Sequence, residues 1–85
     1  MRARSDDVTW RNVDGQVVIL DLRDSCYHRT NATGALLWER LQEECAPGDL
    51  ESILVDSFDL DVESASRDVS AFLETMRSCG LLLDA

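Results

Sequence analysis

The segment CYHRTNATGALLWERL, residues 26–41, contains the change of pattern that decides the fold. Its first five residues predict a short strand, in which successive side chains point to opposite faces. The two faces are Cys26, His28 and Thr30 on one side, and Tyr27 and Arg29 on the other. From residue 31 the apolar residues recur at spacings of three and four, which is the period of an amphipathic helix with Asn31 or Thr33 as its N-cap. The segment therefore predicts a strand that leads directly into a helix.

Two more strands are predicted upstream of this segment. Residues 8–13 are rich in strand-forming side chains, and the turn-forming sequence NVDG at 12–15 ends them. Residues 16–22 form a second run rich in β-branched side chains. Its two faces are Val17, Ile19 and Asp21 on one side, and Val18, Leu20 and Leu22 on the other. A hairpin and a third strand therefore precede the first helix, while residues 1–7 are expected to be a flexible N-terminus.

Two more helices are predicted downstream. Pro47-Gly48 ends the first helix, and Asp49 is the expected cap of a short second helix. A third helix over residues 63–79 is the longest and ends near Gly80. The final apolar run, residues 81–83, is expected to be a docked tail or a short strand. We therefore predict one α+β domain over residues 1–85, winged helix-turn-helix-like, with a three-stranded antiparallel sheet followed by three helices.

Composition limits the classes of partner. The chain has 85 residues, of which 45% are hydrophobic, and this is enough for one compact core. It carries 17 acidic against 8 basic residues, the latter all arginine, for a net charge of −9. A winged-helix domain normally places its recognition helix in a DNA groove, but this charge would repel a phosphate backbone. We therefore expect no nucleic-acid partner.

The cysteines and the N-terminal sequence indicate the compartment. Cys26, Cys45 and Cys79 are an odd number without a C-x-x-C pair, which favours reduced structural thiols over disulfides or a metal site. The first residues turn acidic within six positions, so no signal peptide is expected. The longest apolar runs have four residues, too short to cross a bilayer. We expect a soluble cytoplasmic protein without a membrane partner.

Two sequence features bear on catalysis or cofactor attachment. Cys26 and His28 share a strand face, which is compatible with a thiolate–imidazole pair, but no orienting third group or oxyanion site accompanies them. The triplet Asp56-Ser57-Phe58 is similar to the phosphopantetheine attachment site of acyl and peptidyl carrier proteins, although there the serine opens a long helix. A carrier protein stays an alternative, while we expect no enzyme, no cofactor and no metal.

Several short motifs, which follow one another over nearly the whole chain, are together typical of a known family. They are Tyr27, the sequence NATGA-x-x-W-x-x-L at residues 31–41, DV-x-x-FL-x-x-M at 68–76, and GLL at 80–82. In this set the chain resembles the PqqD-like family, the recognition elements for precursors of ribosomally made, modified peptides. In size it is most similar to the stand-alone B1 proteins of lasso-peptide pathways.

The resemblance implies a non-catalytic domain that binds the leader region of a precursor peptide. The leader would lie as an added antiparallel strand against the third strand, with its side chains in the groove beside the third helix. Tyr27 with Val69, Phe72 and Met76 would then make apolar contacts, and Asp61 or Asp68 would pair with a basic leader residue. The implied site residues are Cys26, Tyr27, His28, Arg29, Thr30, Asp61, Asp68, Val69, Phe72 and Met76.

The resemblance also implies partner enzymes. In lasso-peptide systems they are a leader peptidase, which is a B2-type cysteine protease, and a macrolactam-forming synthetase that acts afterwards. The strands and Trp10 are the expected contact surfaces for the peptidase. A PqqD-like role beside another peptide-modifying enzyme, such as a radical enzyme, is the alternative within the same fold.

Overall fold

The computed structural model describes residues 1–83. The elements in chain order are β1 (Arg2–Ala3), β2 (Val8–Val13), β3 (Gln16–Asp21), β4 (Cys26–Arg29), α1 (Ala32–Arg40), α2 (Pro47–Phe58), α3 (Val62–Ser78) and β5 (Leu82–Leu83). Strands β2, β3 and β4 form an antiparallel sheet in that order, and β1 pairs with β5 in a separate two-stranded sheet. The predicted α+β fold, with a three-stranded sheet followed by three helices, is confirmed.

The β2–β3 hairpin sets the register of the sheet. Its two turn residues, Asp14 and Gly15, have φ angles of 55° and 83°, as a two-residue type I′ turn requires. The Asn12 side chain closes the turn by accepting a hydrogen bond from the Gly15 backbone N–H at 3.0 Å. This register buries Val17 and Ile19 completely on the inner face of the sheet.

The three helices cover that inner face. Helix α1 packs on β3 through Leu37 and Trp38, and Trp10 from β2 meets the Trp38 ring edge-on with centroids 6.5 Å apart. Helix α2 packs on α3 and α1 and buries Leu50 and Leu54. Trp10 is therefore docked against the core, which explains why a tryptophan is tolerated on an outer strand.

The helix boundaries refine the predicted caps. Asn31, not Thr33, caps α1, because its Oδ1 accepts from the Gly34 backbone N–H at 2.8 Å. Helix α1 ends at Arg40, before the Pro47-Gly48 pair that was expected to stop it. Pro47 begins α2, and Asp49 reaches back to accept from the Ala46 N–H at 2.9 Å. Asp49 is thus inside the first turn and is not the cap residue itself.

Residues 1–4 pack against the domain, in contrast to the flexible N-terminus expected over residues 1–7. Ala3 is buried and its N–H donates to the Leu41 carbonyl at 2.7 Å. Arg4 donates to the buried Asp21 carboxylate at 2.6 Å and to the Gly80 carbonyl at 2.9 Å. The C-terminal leucines form the partner strand, with Leu81 fully buried before it. Each end of the described chain therefore holds the other in place.

Among residues 1–83, no helix combines the length and the apolar character needed to cross a bilayer.

Candidate functional site

Strand β4 lies at one edge of the three-stranded sheet. Its inner neighbour is β3, and no strand within residues 1–83 pairs with its other side. The Thr30 N–H donates to the Val17 carbonyl at 2.9 Å, which fixes the alternation of the antiparallel ladder. Because the hydrogen-bonding direction alternates along such a ladder, Tyr27 and Arg29 direct their N–H and C=O groups away from β3. The free edge therefore offers two donors and two acceptors to an added strand.

A groove of about 380 Å³ lies beside this edge, between the end of β4, the start of α1 and the middle of α3. Its lining residues are Arg29, Thr30, Asn31, Thr33, Gly34, Leu37, Asp68, Ala71, Phe72, Thr75 and Met76. The floor is apolar, with the buried Leu37 and Met76 and the half-buried Phe72. The rim is polar and open to solvent. An apolar floor with a polar rim suits a side chain that enters from an extended peptide.

Gly34 leaves room for the Phe72 ring of α3 to lie against the start of α1 at this groove. A Cβ at this position would lie 3.0 Å from the Cβ of Thr30 and 3.3 Å from Cε1 of Phe72. Contacts this short require the neighbours to shift. The glycine of the NATGA sequence therefore shapes the groove floor, a role that a helix-propensity argument alone does not give it.

The rim carries one charge of each sign. Arg29 comes from the strand side and Asp68 from α3, and both are exposed. Neither makes an ion pair with another residue of the described chain. Asp68 is therefore available to a ligand between β4 and α3, while Arg29, which shares the outward face of β4 with Tyr27, borders the same edge.

Half of the predicted site residues line this groove. They are Arg29, Thr30, Asp68, Phe72 and Met76. Val69, which was expected to contact the ligand, is buried in the core and does not line the groove. It packs against other core residues instead. As predicted, Val69 and Met76 are more buried than Asp68.

Asp61 and Tyr27 take different positions from those expected. Asp61 caps α3 by accepting from the Ser64 N–H at 3.0 Å, and the hydrogen bonds from Ser64 hold its pKa below the usual range. Tyr27 pairs with Leu20 across the ladder, and both point outward, away from α3. Tyr27 therefore does not line the groove beside Phe72.

Cys26 and His28, which share a strand face in the sequence pattern, contact different partners. The Cys26 thiol is exposed and donates to the Asp24 carbonyl at 3.4 Å. His28 faces inward, and its Nδ1 lies 3.8 Å from the Sγ of Cys79 at the end of α3. Ser57, the carrier-type serine, lies at the penultimate position of α2 and does not open a helix.

Several groove residues were not among the predicted site residues. They are Asn31, Thr33, Gly34 and Leu37 from α1, and Ala71 and Thr75 from α3. Asn31, Thr33 and Gly34 belong to the quoted NATGA motif, which the sequence indicated only as a helix start, and Leu37 follows two residues after it. A glycine in the first turn of a helix, three residues after the N-cap Asn31, is unusual. It was the signal that could have indicated that another side chain packs closely against this turn.

Comparisons with known proteins place the chain in a family. Residues 16–82 match the model of PqqD, the coenzyme PQQ synthesis protein D. A search of the curated proteins found no significant match. Among solved structures, TbiB1 in complex with the TbiA(beta) leader peptide is 27% identical, with a TM-score of 0.88 over 100% of this chain and 98% of that one. A lasso peptide synthetase B1 complexed with the leader peptide is 28% identical, with a TM-score of 0.82 over 96% and 95%. The matched segment covers most of the chain and confirms the resemblance carried by its motifs, so the chain belongs to the PqqD family.

Proposed function

We propose that this protein binds the leader region of a ribosomally made precursor peptide of the lasso class and carries out no chemistry on it. The observation that carries the proposal is the free edge of β4 directly beside the groove. Both similar structures are described as complexes with a leader peptide, and they match this chain over nearly its full length. A shared fold alone does not show that two proteins bind the same ligand. Here the free edge of β4 and the groove beside it support the proposal as well.

The leader adds as an antiparallel strand on β4. Its backbone pairs with the outward N–H and C=O groups of Tyr27 and Arg29. Alternate leader side chains then point to opposite faces of the extended sheet. Those on the inner face enter the groove, and those on the outer face lie beside Tyr27.

The groove selects leader side chains by their chemistry. An apolar side chain fits the floor made by Leu37, Phe72 and Met76, of which Phe72 is partly open to water. A basic side chain pairs with Asp68 on the rim. The net charge of −9 attracts a basic leader from a distance as well.

The bound leader is delivered to a leader peptidase, a B2-type cysteine protease, and a macrolactam-forming synthetase acts on the product. The protein supplies proximity, since holding the substrate near the enzyme raises its local concentration without any catalytic group on the binder. Within residues 1–83 no cluster of three metal-ligating side chains is present, and the proposed role needs none.

The test is calorimetry with the leader peptide encoded beside this chain. The wild type should bind one leader per chain, and Asp68→Arg should weaken binding by about tenfold, because it replaces an attraction by a repulsion. Glu74→Arg is the matched control, since Glu74 is exposed on the same helix but does not line the groove. It should bind as the wild type does. A chain that binds none of the neighbouring precursors would refute the leader-binding role.

A further inference from the structure

The outer face of the three-stranded sheet is exposed and largely apolar. We use the term outer sheet face for Arg11, Val13, Val18, Leu20, Leu22, Tyr27 and Arg29. Val17 and Ile19 point to the opposite side and are buried under the helices. Four of the seven large apolar residues that are exposed within residues 1–83 lie on this face, with Leu22 at 52% and Tyr27 at 69% exposure. Contiguous apolar surface of this kind is typical of a protein–protein interface.

The charges on this face differ from those of the rest of the protein. Arg11 and Arg29 lie on either side of Val18 in the ladder. Neither guanidinium pairs with a carboxylate of the described chain. No carboxylate projects from β2, β3 or β4 on this side, since Asp21, the acidic residue of these strands, points inward and is buried. In a chain with 17 acidic residues, this face carries two arginines, apolar side chains and the neutral Thr9 and Gln16, but no acidic side chain.

The charges identify the class of occupant. A second copy stacked face to face would bring four guanidiniums together without a counter-charge, which is unfavourable once the interface excludes water. A nucleic acid would meet the repulsion of the whole chain at −9. A protein surface with an apolar centre and carboxylates around it complements both the leucines and the arginines.

We propose that the outer sheet face is the docking surface for the leader peptidase, which presents carboxylates around an apolar patch. This inference rests on the proposed function for the identity of the partner. It places the peptidase on the face opposite the helices, so the peptidase and the groove floor lie on different sides of the sheet. Arg29 borders both surfaces, but Arg11 and Leu20 on the sheet and Asp68 in the groove can be changed separately.

The experiment uses the full chain, the leader peptide and the peptidase encoded with them. Arg11→Glu and Leu20→Thr alter the outer sheet face, and neither residue lines the groove. Arg2→Glu is the matched control, because Arg2 is exposed in the separate two-stranded sheet. Leader binding, measured by fluorescence polarisation, serves as the check that each variant is folded.

Arg11→Glu and Leu20→Thr should each weaken peptidase binding by about tenfold. Raised salt should weaken the wild-type complex more than that of Arg11→Glu, since it screens the ion pairs that only the wild type makes. Leader affinity should be unchanged in all three variants. Equal peptidase binding by wild type, Arg11→Glu and Leu20→Thr would overturn the docking surface and leave the leader-binding role intact. A wild type that binds leader but no peptidase would overturn both delivery and this inference.

Discussion

The backbone of Gly34 in α1 lies directly against the ring of Phe72 in α3, at a distance where a Cβ would be 3.3 Å from Cε1. This contact joins the two helices at the floor of the groove. Phe72 is half-buried and packs against the core, so its ring has little freedom to move inward. The shape of the groove therefore depends on the missing side chain of Gly34.

Gly34→Ala should affect leader binding more than stability. The added methyl group pushes Phe72 and Thr30 apart and changes the floor, so the leader Kd should rise by about tenfold. Alanine also favours the helix by about 1 kcal/mol, which offsets part of the steric cost in unfolding measurements. Calorimetry measures the leader affinity, and urea denaturation measures the free energy of unfolding.

Gly48→Ala is the control for this substitution. Gly48 lies in α2, and a Cβ there meets no atom within 4 Å. It should raise the free energy of unfolding slightly and leave leader affinity unchanged. Equal leader affinity for Gly34→Ala and the wild type would show that the floor does not contact the leader.

Strand addition on β4 predicts an alternating pattern of amide protection. The N–H groups of Tyr27 and Arg29 face the free edge, whereas that of His28 points to β3. Leader binding should therefore slow hydrogen exchange at Tyr27 and Arg29 and change it little at His28. Residue-resolved exchange by NMR, with and without leader, gives the result. Uniform protection along β4, or none, would contradict a leader that pairs as a strand.

The sequence correctly predicted the features that depend on local residue patterns. The alternation around Tyr27 and His28 correctly separated two faces, and the spacing after Asn31 correctly indicated a helix. It did not say which face meets α3, because that depends on the pairing of His28 with Ile19, a tertiary contact. Tyr27 was assigned to the groove for this reason.

The packing of the N-terminus and the capping role of Asp61 were both missed from the sequence, for similar reasons. Strand β1 has only two residues, too few to show a period, and its partner lies some 80 positions away in the chain. Asp61 stands at a helix start, where a carboxylate serves equally well as a cap or as a ligand group. Only the bond from the Ser64 N–H distinguishes the two roles.

The capping role of Asp61 leads to a prediction of its own. Asp61→Ala removes the acceptor of the Ser64 N–H and should lower the melting temperature. Asp61→Asn keeps a capping side chain and should retain most of the stability. Both variants should bind leader as the wild type does, since Asp61 does not line the groove. Thermal unfolding by circular dichroism and leader binding by fluorescence polarisation separate the two roles. Loss of leader affinity in a folded Asp61→Asn protein would return Asp61 to the ligand site.

The Arg4–Asp21 pair makes stability depend on acid pH. Burial by itself raises the pKa of Asp21, but hydrogen bonds from the Arg23 backbone N–H and the Arg4 guanidinium outweigh it and hold this pKa below its ordinary value. A carboxyl with a lowered folded-state pKa stabilises the protein above its unfolded pKa of about 3.9 and loses that contribution as the pH falls through the folded value. The free energy of unfolding should therefore decline below about pH 4 more steeply in the wild type than in Asp21→Asn, which has no proton to gain.

Arg4→Leu should lower stability at neutral pH, because it leaves the buried carboxylate without its partner and frees β1 from Gly80. Urea denaturation across this pH range measures both effects, and parallel pH profiles for the wild type and Asp21→Asn would show that Asp21 is not the group responsible.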